Sequence, residues 1–282
     1  MIPFYIYYSM FGFQRVGDLV WAAGDSQTRG FLVGGTAGRT TLNGEGLQHQ
    51  DGHSMVHFGT VPNCISYDPT YGYEIAVIVH DGLKRMFGDQ ENVFYYITVM
   101  NENYHQPEIP EGVEEGIIKG IYELDKVKAK KKAKGDVQLL GSGTILQQVR
   151  KAADILAEDY DINSTVYSVT SFNELARDGL DTDRWNMLNP EKKEKEAYIT
   201  QVMKKAKGPA VAATDYVKLY ADQVRAWVPT SYRVLGTDGF GRSDSRANLR
   251  KHFEIDPQYI VVAALKELAD QGDIDKKVVA KA

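Results

Sequence analysis

Strand-like runs alternate with helical periods along almost the whole chain, and this alternation restricts the possible folds more than any other feature. Residues 3–9 (PFYIYYS) alternate aromatic and aliphatic groups and read as a strand. Residues 11–27 place Phe13, Val16, Val20 and Ala23 near helical spacing. The short apolar run GFLVGG, bounded by glycines, reads as a buried strand. A strand over 63–67 closes at Asp68-Pro69, a helix follows over 73–87, and NVFYYITVM forms the next strand. The rhythm resumes with a strand over 136–140 and a helix carrying Ile145, Leu146, Val149, Ala152, Ala153 and Leu156 on one face. Further strands are expected over 165–169, 210–214 and 232–236. A helix between the last two is expected to bury Val217, Tyr220, Ala221, Val224 and Val228. Asp256-Pro257 opens a terminal helix with an acidic cap and proline at the first helical position. Strands alternating with helices imply an α/β fold with a mostly parallel sheet.

Residues 1–8 have no basic leader and no small-residue cleavage site, so they are not a signal peptide. Read as a buried first strand, they need neighbours on both sides, and the chain is expected to start inside a domain. Residues 101–135 read as a boundary. They contain Pro107 and Pro110, then the basic run KVKAKKKAK over 126–134, a solvated linker or hairpin tip rather than an anion site because no aromatic is interleaved. The expected division is a first domain over 1–110, a linker over 111–135 and a second domain over 136–282.

Composition narrows the function classes. A length of 282 residues allows about two ordinary domains. Hydrophobic residues at 43% and charged residues at 25% exclude wholesale disorder. A net charge of −5 argues against general nucleic-acid binding, which needs a basic face. No apolar run approaches the roughly 20 residues that cross a bilayer. The single cysteine, Cys64, excludes an intrachain disulfide and fits a reducing, cytoplasmic setting.

Four segments bear on chemistry. Gly141-Ser142-Gly143 lacks the third glycine and the acidic residue of a dinucleotide fingerprint and reads as a tight strand-to-helix turn. Segment 39–58 places His49, His53 and His57 at intervals of four, beside Glu45, Gln50 and Asp51. Glycines 44, 46 and 52 oppose a helix there, so a metal site built on helical facing is disfavoured. Histidines and a glutamate on a glycine-rich loop at strand ends suit proton transfer and oxyanion stabilisation; a polar surface loop is the alternative. Tyr7, Tyr8 and Phe11 end a strand, where aromatics stack on a flat heterocycle or pack in a core. Residues 238–246 (DGFGRSDSR) resemble a kinase Asp-Phe-Gly element only superficially. Gly239 interrupts it and no other kinase element accompanies it. Arg242 and Arg246 are candidates to pair with Asp244 or with a carboxylate across an interface.

Longer motifs go further. PFYIYYSMFGFQRVGDLVWAAGD, GRTTLNGEGLQHQDGHS, PNCISYDPTYGYEIAVIVHDGLKRM, YSVTSFNELARDG, RWNML and YRVLGTDGFGRSDSRANLRKHFEID together resemble the homodimeric pyruvate dehydrogenase E1 family. The resemblance runs through essentially the whole chain and matches the C-terminal third of family sequences. It implies the later part of a thiamine diphosphate pyrimidine-binding domain followed by a transketolase C-terminal-type α/β domain. It implies that Phe11 packs against the aminopyrimidine, with Tyr8 beside it. His49 resembles the active-centre histidine, Glu45 the neighbouring carboxylate, and His53 a second group for polar contacts to substrate. Gln50 stands where a glutamate is common in the family. The Gly-Asp-Gly motif and asparagine that hold Mg²⁺ and the diphosphate, and the glutamate that activates the cofactor, have no counterpart here. The implied activity is decarboxylation of pyruvate and reductive acetylation of the lipoyl group of E2, within a homodimeric E1. The isolated chain is expected to be inactive. A non-catalytic assembly module and a sister thiamine enzyme, such as transketolase, are the alternatives.

Overall fold

Four strands rich in aromatic and β-branched residues form the first sheet. The computed structural model describes all 282 residues. In chain order the first half contains β1 (Phe4–Tyr8), α1 (Gly12–Asp25), β2 (Phe31–Gly35), α2 (Ser54–Gly59), β3 (Cys64–Tyr67), α3 (Gly72–Leu83) and β4 (Phe94–Thr98). The sheet order is β1-β2-β4-β3, and every pair is parallel. All five residues of β4 and all four of β3 are buried, as expected for strands covered on both faces.

The second half adds α4 (Glu114–Lys119), β5 (Ile121–Val127), β6 (Gly135–Gly141), α5 (Leu146–Asp159), β7 (Ile162–Val169), α6 (Phe172–Leu188), α7 (Tyr198–Met203), β8 (Ala210–Ala213), α8 (Lys218–Asp222), β9 (Tyr232–Leu235), α9 (Arg246–His252), α10 (Pro257–Gln271) and α11 (Lys276–Val279). Its sheet order is β5-β7-β6-β8-β9, parallel except for β5, which runs antiparallel to β7. The α/β class and the mostly parallel pairing agree with the sequence pattern. Helix α10 starts where expected, with Asp256 Oδ1 accepting from the Tyr259 N–H at 2.9 Å.

Several expectations differ from the structure. β1 is an edge strand paired only with β2, and Phe4, Tyr5, Ile6 and Tyr8 are exposed rather than buried. Alternating aromatics fit a pleated surface at an edge as well as inside, so the pattern does not report depth. The stretch 111–135 holds a helix and a sheet strand, α4 and β5. Its lysines from Lys128 to Lys134 form the β5–β6 connection, which bypasses β7 and is therefore no hairpin. Helix α8 is shorter than expected, yet Tyr220, Ala221, Val224 and Val228 are buried through a following turn of 3₁₀ helix. Helix α6, with 17 residues, falls in a segment for which no element was expected. Ser171 caps it by accepting from the Glu174 N–H at 3.0 Å.

Buried polar groups join the two sheets. Glu74, at the start of α3, accepts from Tyr122 Oη at 2.7 Å and from Ser168 Oγ at 2.6 Å. Its other oxygen accepts the Thr70 and Tyr71 N–H groups. Asp215, just after β8, accepts the Thr40 and Thr41 N–H groups at 2.8 and 3.0 Å and both threonine hydroxyls. The loop after β2 is thereby fastened to the second sheet.

Candidate functional site

Parallel register decides which side chains meet. Tyr8 of β1 lies opposite Gly35 of β2, so both strands end at the same level. The loops that follow them emerge together, at the carboxyl edge where α/β folds place ligands. After β1 a short 3₁₀ turn over Ser9–Phe11 leads into α1. After β2 the chain runs through the histidine loop to α2.

This places Phe11 and His49 edge to face, with ring centroids 5.1 Å apart, and Tyr8 at 6.1 Å from His49. Tyr8 and Phe11 are themselves 6.0 Å apart, and the Arg15 guanidinium lies 4.0 Å from the Phe11 ring centre. His49 Nδ1 stands 3.0 Å from Glu45 Oε2, at an angle that makes an electrostatic contact but no directed hydrogen bond. Phe11 and His49 are half-buried, and Tyr8 and Glu45 are exposed.

His53 lies next in the chain but belongs to a different group. Its Nε2 contacts Gln14 Nε2 of α1, and its ring meets that of His57 edge-on at 4.9 Å. Burial pushes the His53 imidazole below its ordinary pKa. Asp51 opposes that shift, and His57 and Arg39 reinforce it. Asp51 sits at the turn into α2, where Oδ1 accepts the His53 and Ser54 N–H groups at 3.0 and 2.9 Å. His49 lies outside the helix, so the spacing of four is realised as a helical pair only by His53 and His57.

Gln50 is fully buried and structural. Its Nε2 donates to Leu42 O at 2.6 Å, and its Oε1 accepts the Arg242 N–H at 2.7 Å. Residues 238–246 pack against the histidine loop: Gly44 N–H donates to Asp244 O and Ser243 Oγ to Gly44 O, both at 3.1 Å. Neither arginine pairs with Asp244, but Arg246 Nε lies 3.8 Å from Glu102 Oε2, a carboxylate from the other half of the chain. Arg242 Nε donates to His252 Nε2 at 2.8 Å, and Arg246 Nε donates to Thr41 O at 2.7 Å. An open cleft of about 900 Å³ lies between these two segments, lined by Glu45, Leu47, Gln48, Arg242, Asn248 and His252. Glu45 therefore borders this cleft as well as His49.

Sequence reasoning missed Gln14, Asp51 as a capping residue, and the buried Arg39. Gln14 lies within FGFQR and Arg39 within GRTT, but nothing in their spacing shows what each touches. Gly141-Ser142-Gly143 is a tight turn into α5, with Gly143 at φ +50°.

The fold is that of the transketolase-like α/β proteins. The chain superimposes on transketolase from Campylobacter jejuni with a TM-score of 0.67 at 15% identity, over 94% of this chain and 36% of that one. A split-gene transketolase described as an inactive β4 tetramer gives a TM-score of 0.62 at 14% identity, over 95% of this chain and 77% of that one. Within this class the sequence is more particular. Residues 1–107 match the pyruvate dehydrogenase E1 component middle domain, and residues 120–256 match the transketolase-like C-terminal domain. The chain is 69% identical to the pyruvate dehydrogenase E1 component of Escherichia coli (strain K12) and 62% identical to that of Pseudomonas aeruginosa. Both alignments cover 100% of this chain and 32% of the relative. Domain by domain, the chain is similar to the pyruvate dehydrogenase E1 component, and it spans about a third of the length of the curated relatives it matches.

Proposed function

We propose that this chain supplies one wall of the thiamine diphosphate site of a pyruvate dehydrogenase E1 and acts with the remaining segments of such an enzyme. The observation that carries this reading is the convergence of Phe11, Tyr8, His49 and Glu45 at the carboxyl ends of β1 and β2. The residues fit the group. A half-buried flat ring beside an imidazole whose Nδ1 lacks a hydrogen-bond partner suits a planar aminopyrimidine with a reacting centre close by.

Phe11, with Tyr8 beside it, would hold the pyrimidine by stacking. His49, oriented by Glu45, would hold or deliver a proton at Nε2 and stabilise negative charge on the substrate oxygen. His53 would add a second polar contact to the substrate. The cofactor, when bound, supplies the electron sink for decarboxylation. Mg²⁺ and the diphosphate would be held by segments outside this chain. The reaction would be oxidative decarboxylation of pyruvate with acetyl transfer to the lipoyl group of E2, in a cytoplasmic homodimeric E1. No helix of the structure is long and apolar enough to cross a membrane.

The test is a pyruvate turnover assay with thiamine diphosphate and Mg²⁺, run on the chain alone and on the chain supplied with the remaining segments of an E1. The chain alone is expected to be inactive, and the reconstituted enzyme active and impaired by His49→Ala. Full turnover by the isolated chain would overturn the division of labour. An unchanged rate in His49→Ala would remove the proposed role of the imidazole.

A further inference from the structure

Arg39 is the least expected residue near the site. It is 4% exposed, in the loop after β2 and 14 positions before His53. Its Nη1 donates to two carbonyls of the second sheet's loop, Thr237 O and Gly239 O. Its backbone N–H donates to Asp215 O at 3.2 Å. The guanidinium lies directly beneath Gly52, so close that a Cβ on Gly52 would collide with its Nη2, Cζ and Nε atoms. Gly52 O in turn accepts the Val217 N–H at 2.7 Å. The turn Asp51-Gly52-His53 is therefore gripped from below by a side chain that is itself bonded to the other sheet.

We propose that Arg39 is the positioning residue for His53: sealed under Gly52 and bonded to the Thr237 and Gly239 carbonyls, it fixes the Asp51-Gly52-His53 turn so that the imidazole stays against Gln14 and His57. This rests on the reading of His53 as a substrate-facing group, but the geometry stands without it. A guanidinium is required because, while its Nη1 reaches both carbonyls, the rest of the group presents a flat face to a glycine. An ammonium reaches as a point charge and leaves the face unfilled. Glycine is required at 52 because any Cβ would occupy the guanidinium's place. The charged and titratable groups acting on the imidazole are Asp51, His57 and Arg39 itself, so charge and position are separable by substitution.

The test is histidine-selective NMR on the 282-residue chain, which needs no cofactor and no turnover. Arg39→Lys keeps the charge and loses the planar group packed under Gly52. It is expected to broaden or split the His53 ring signals and to weaken the His53–Gln14 cross-peak at least about twofold. His80 and His105, which lie away from the loop, should stay unchanged. Arg39→Gln removes a positive charge that depresses the imidazole and should move the His53 titration upward. Gly52→Ala presses the same contact from the loop side and should disturb His53 alike, which keeps the proposal testable if the Arg39 variants do not fold. The double variant Arg39→Lys/Gly52→Ala should be no worse than either single change, because both break one contact. A folded Arg39→Lys or Gly52→Ala variant with parental His53 signals would overturn the assignment. Failure of the thiamine reading, by contrast, would show only in the turnover assay and would leave these signals untouched.

Discussion

Thr41 Oγ1 donates to Asp215 Oδ2 at 2.6 Å, across the seam between the two sheets and over a sequence separation of 174 residues. It is one of four donors on that carboxylate, and all lie in the loop that leads to the histidines. Asp215→Ala leaves two backbone N–H groups without partners in a buried site and removes the acceptor of two hydroxyls, which keep only their contacts with Thr144 Oγ1 and Arg250 Nε. The expected cost is about 3 kcal/mol, since each unsatisfied buried donor costs about 1–3 kcal/mol and part of the loss relaxes. Urea unfolding of variant and parent measures it, and a change below about 1 kcal/mol would contradict the seam's dependence on this carboxylate.

Asp68 gives a pH dependence. It is fully buried at the end of β3, where Oδ1 accepts from Thr98 Oγ1 at 2.7 Å and from Tyr216 Oη at 3.3 Å while Oδ2 has no partner. Burial pushes its carboxyl up to about 7. A raised folded-state pKa means the folded form keeps a proton that the unfolded chain has already released. The contribution to stability is therefore full below the unfolded value, declines as pH rises towards 7, and then levels off. A shift from 3.8 to about 7 corresponds to about 4 kcal/mol. Asp68→Asn, which cannot ionise, should be more stable relative to the parent at pH 8 than at pH 5. Denaturation curves at the two pH values would show this, and equal differences at both would refute it.

Gly143 tests the turn between β6 and α5. Its φ of +50° suits glycine, and an added Cβ would come within 2.9–3.0 Å of both Asp68 carboxylate oxygens and clash with the Met100 methyl. Gly143→Ala should cost about 1–3 kcal/mol through strain and crowding together, read from the thermal midpoint.

Within a reconstituted E1, His49→Ala is expected to lower kcat about 100-fold, the usual order for losing a general acid or base. Phe11→Ala should instead raise the thiamine diphosphate concentration needed for half-maximal rate about fivefold, the loss of an aromatic contact of about 1 kcal/mol. A titration of cofactor against rate separates the two. Swapped effects would reassign the residues.

The alternation of strand and helix, the parallel class, the cap at Asp256 and the tight turn at Gly141–Gly143 were legible from the chain, because each follows from local periodicity or from a residue's own backbone preference. The histidine loop stood out as a candidate site from its residue types and its place after a strand. Its division was not. His49 faces Phe11 while His53 faces Gln14, a separation set by how β1 and β2 end in register and by where α2 begins. The depth of β1 was misread because an edge strand and a buried strand share the same alternation. Arg39 gave no signal, since its partners Thr237 and Gly239 lie about 200 residues away and bond through backbone carbonyls that every residue type carries. Sequence alone thus determined the α/β class, most of the strands and helices, and which residues are candidates for proton chemistry. Only the tertiary structure decided which of them meet, because those contacts are made across the seam between two sheets, where partners are chosen by packing geometry and not by spacing along the chain.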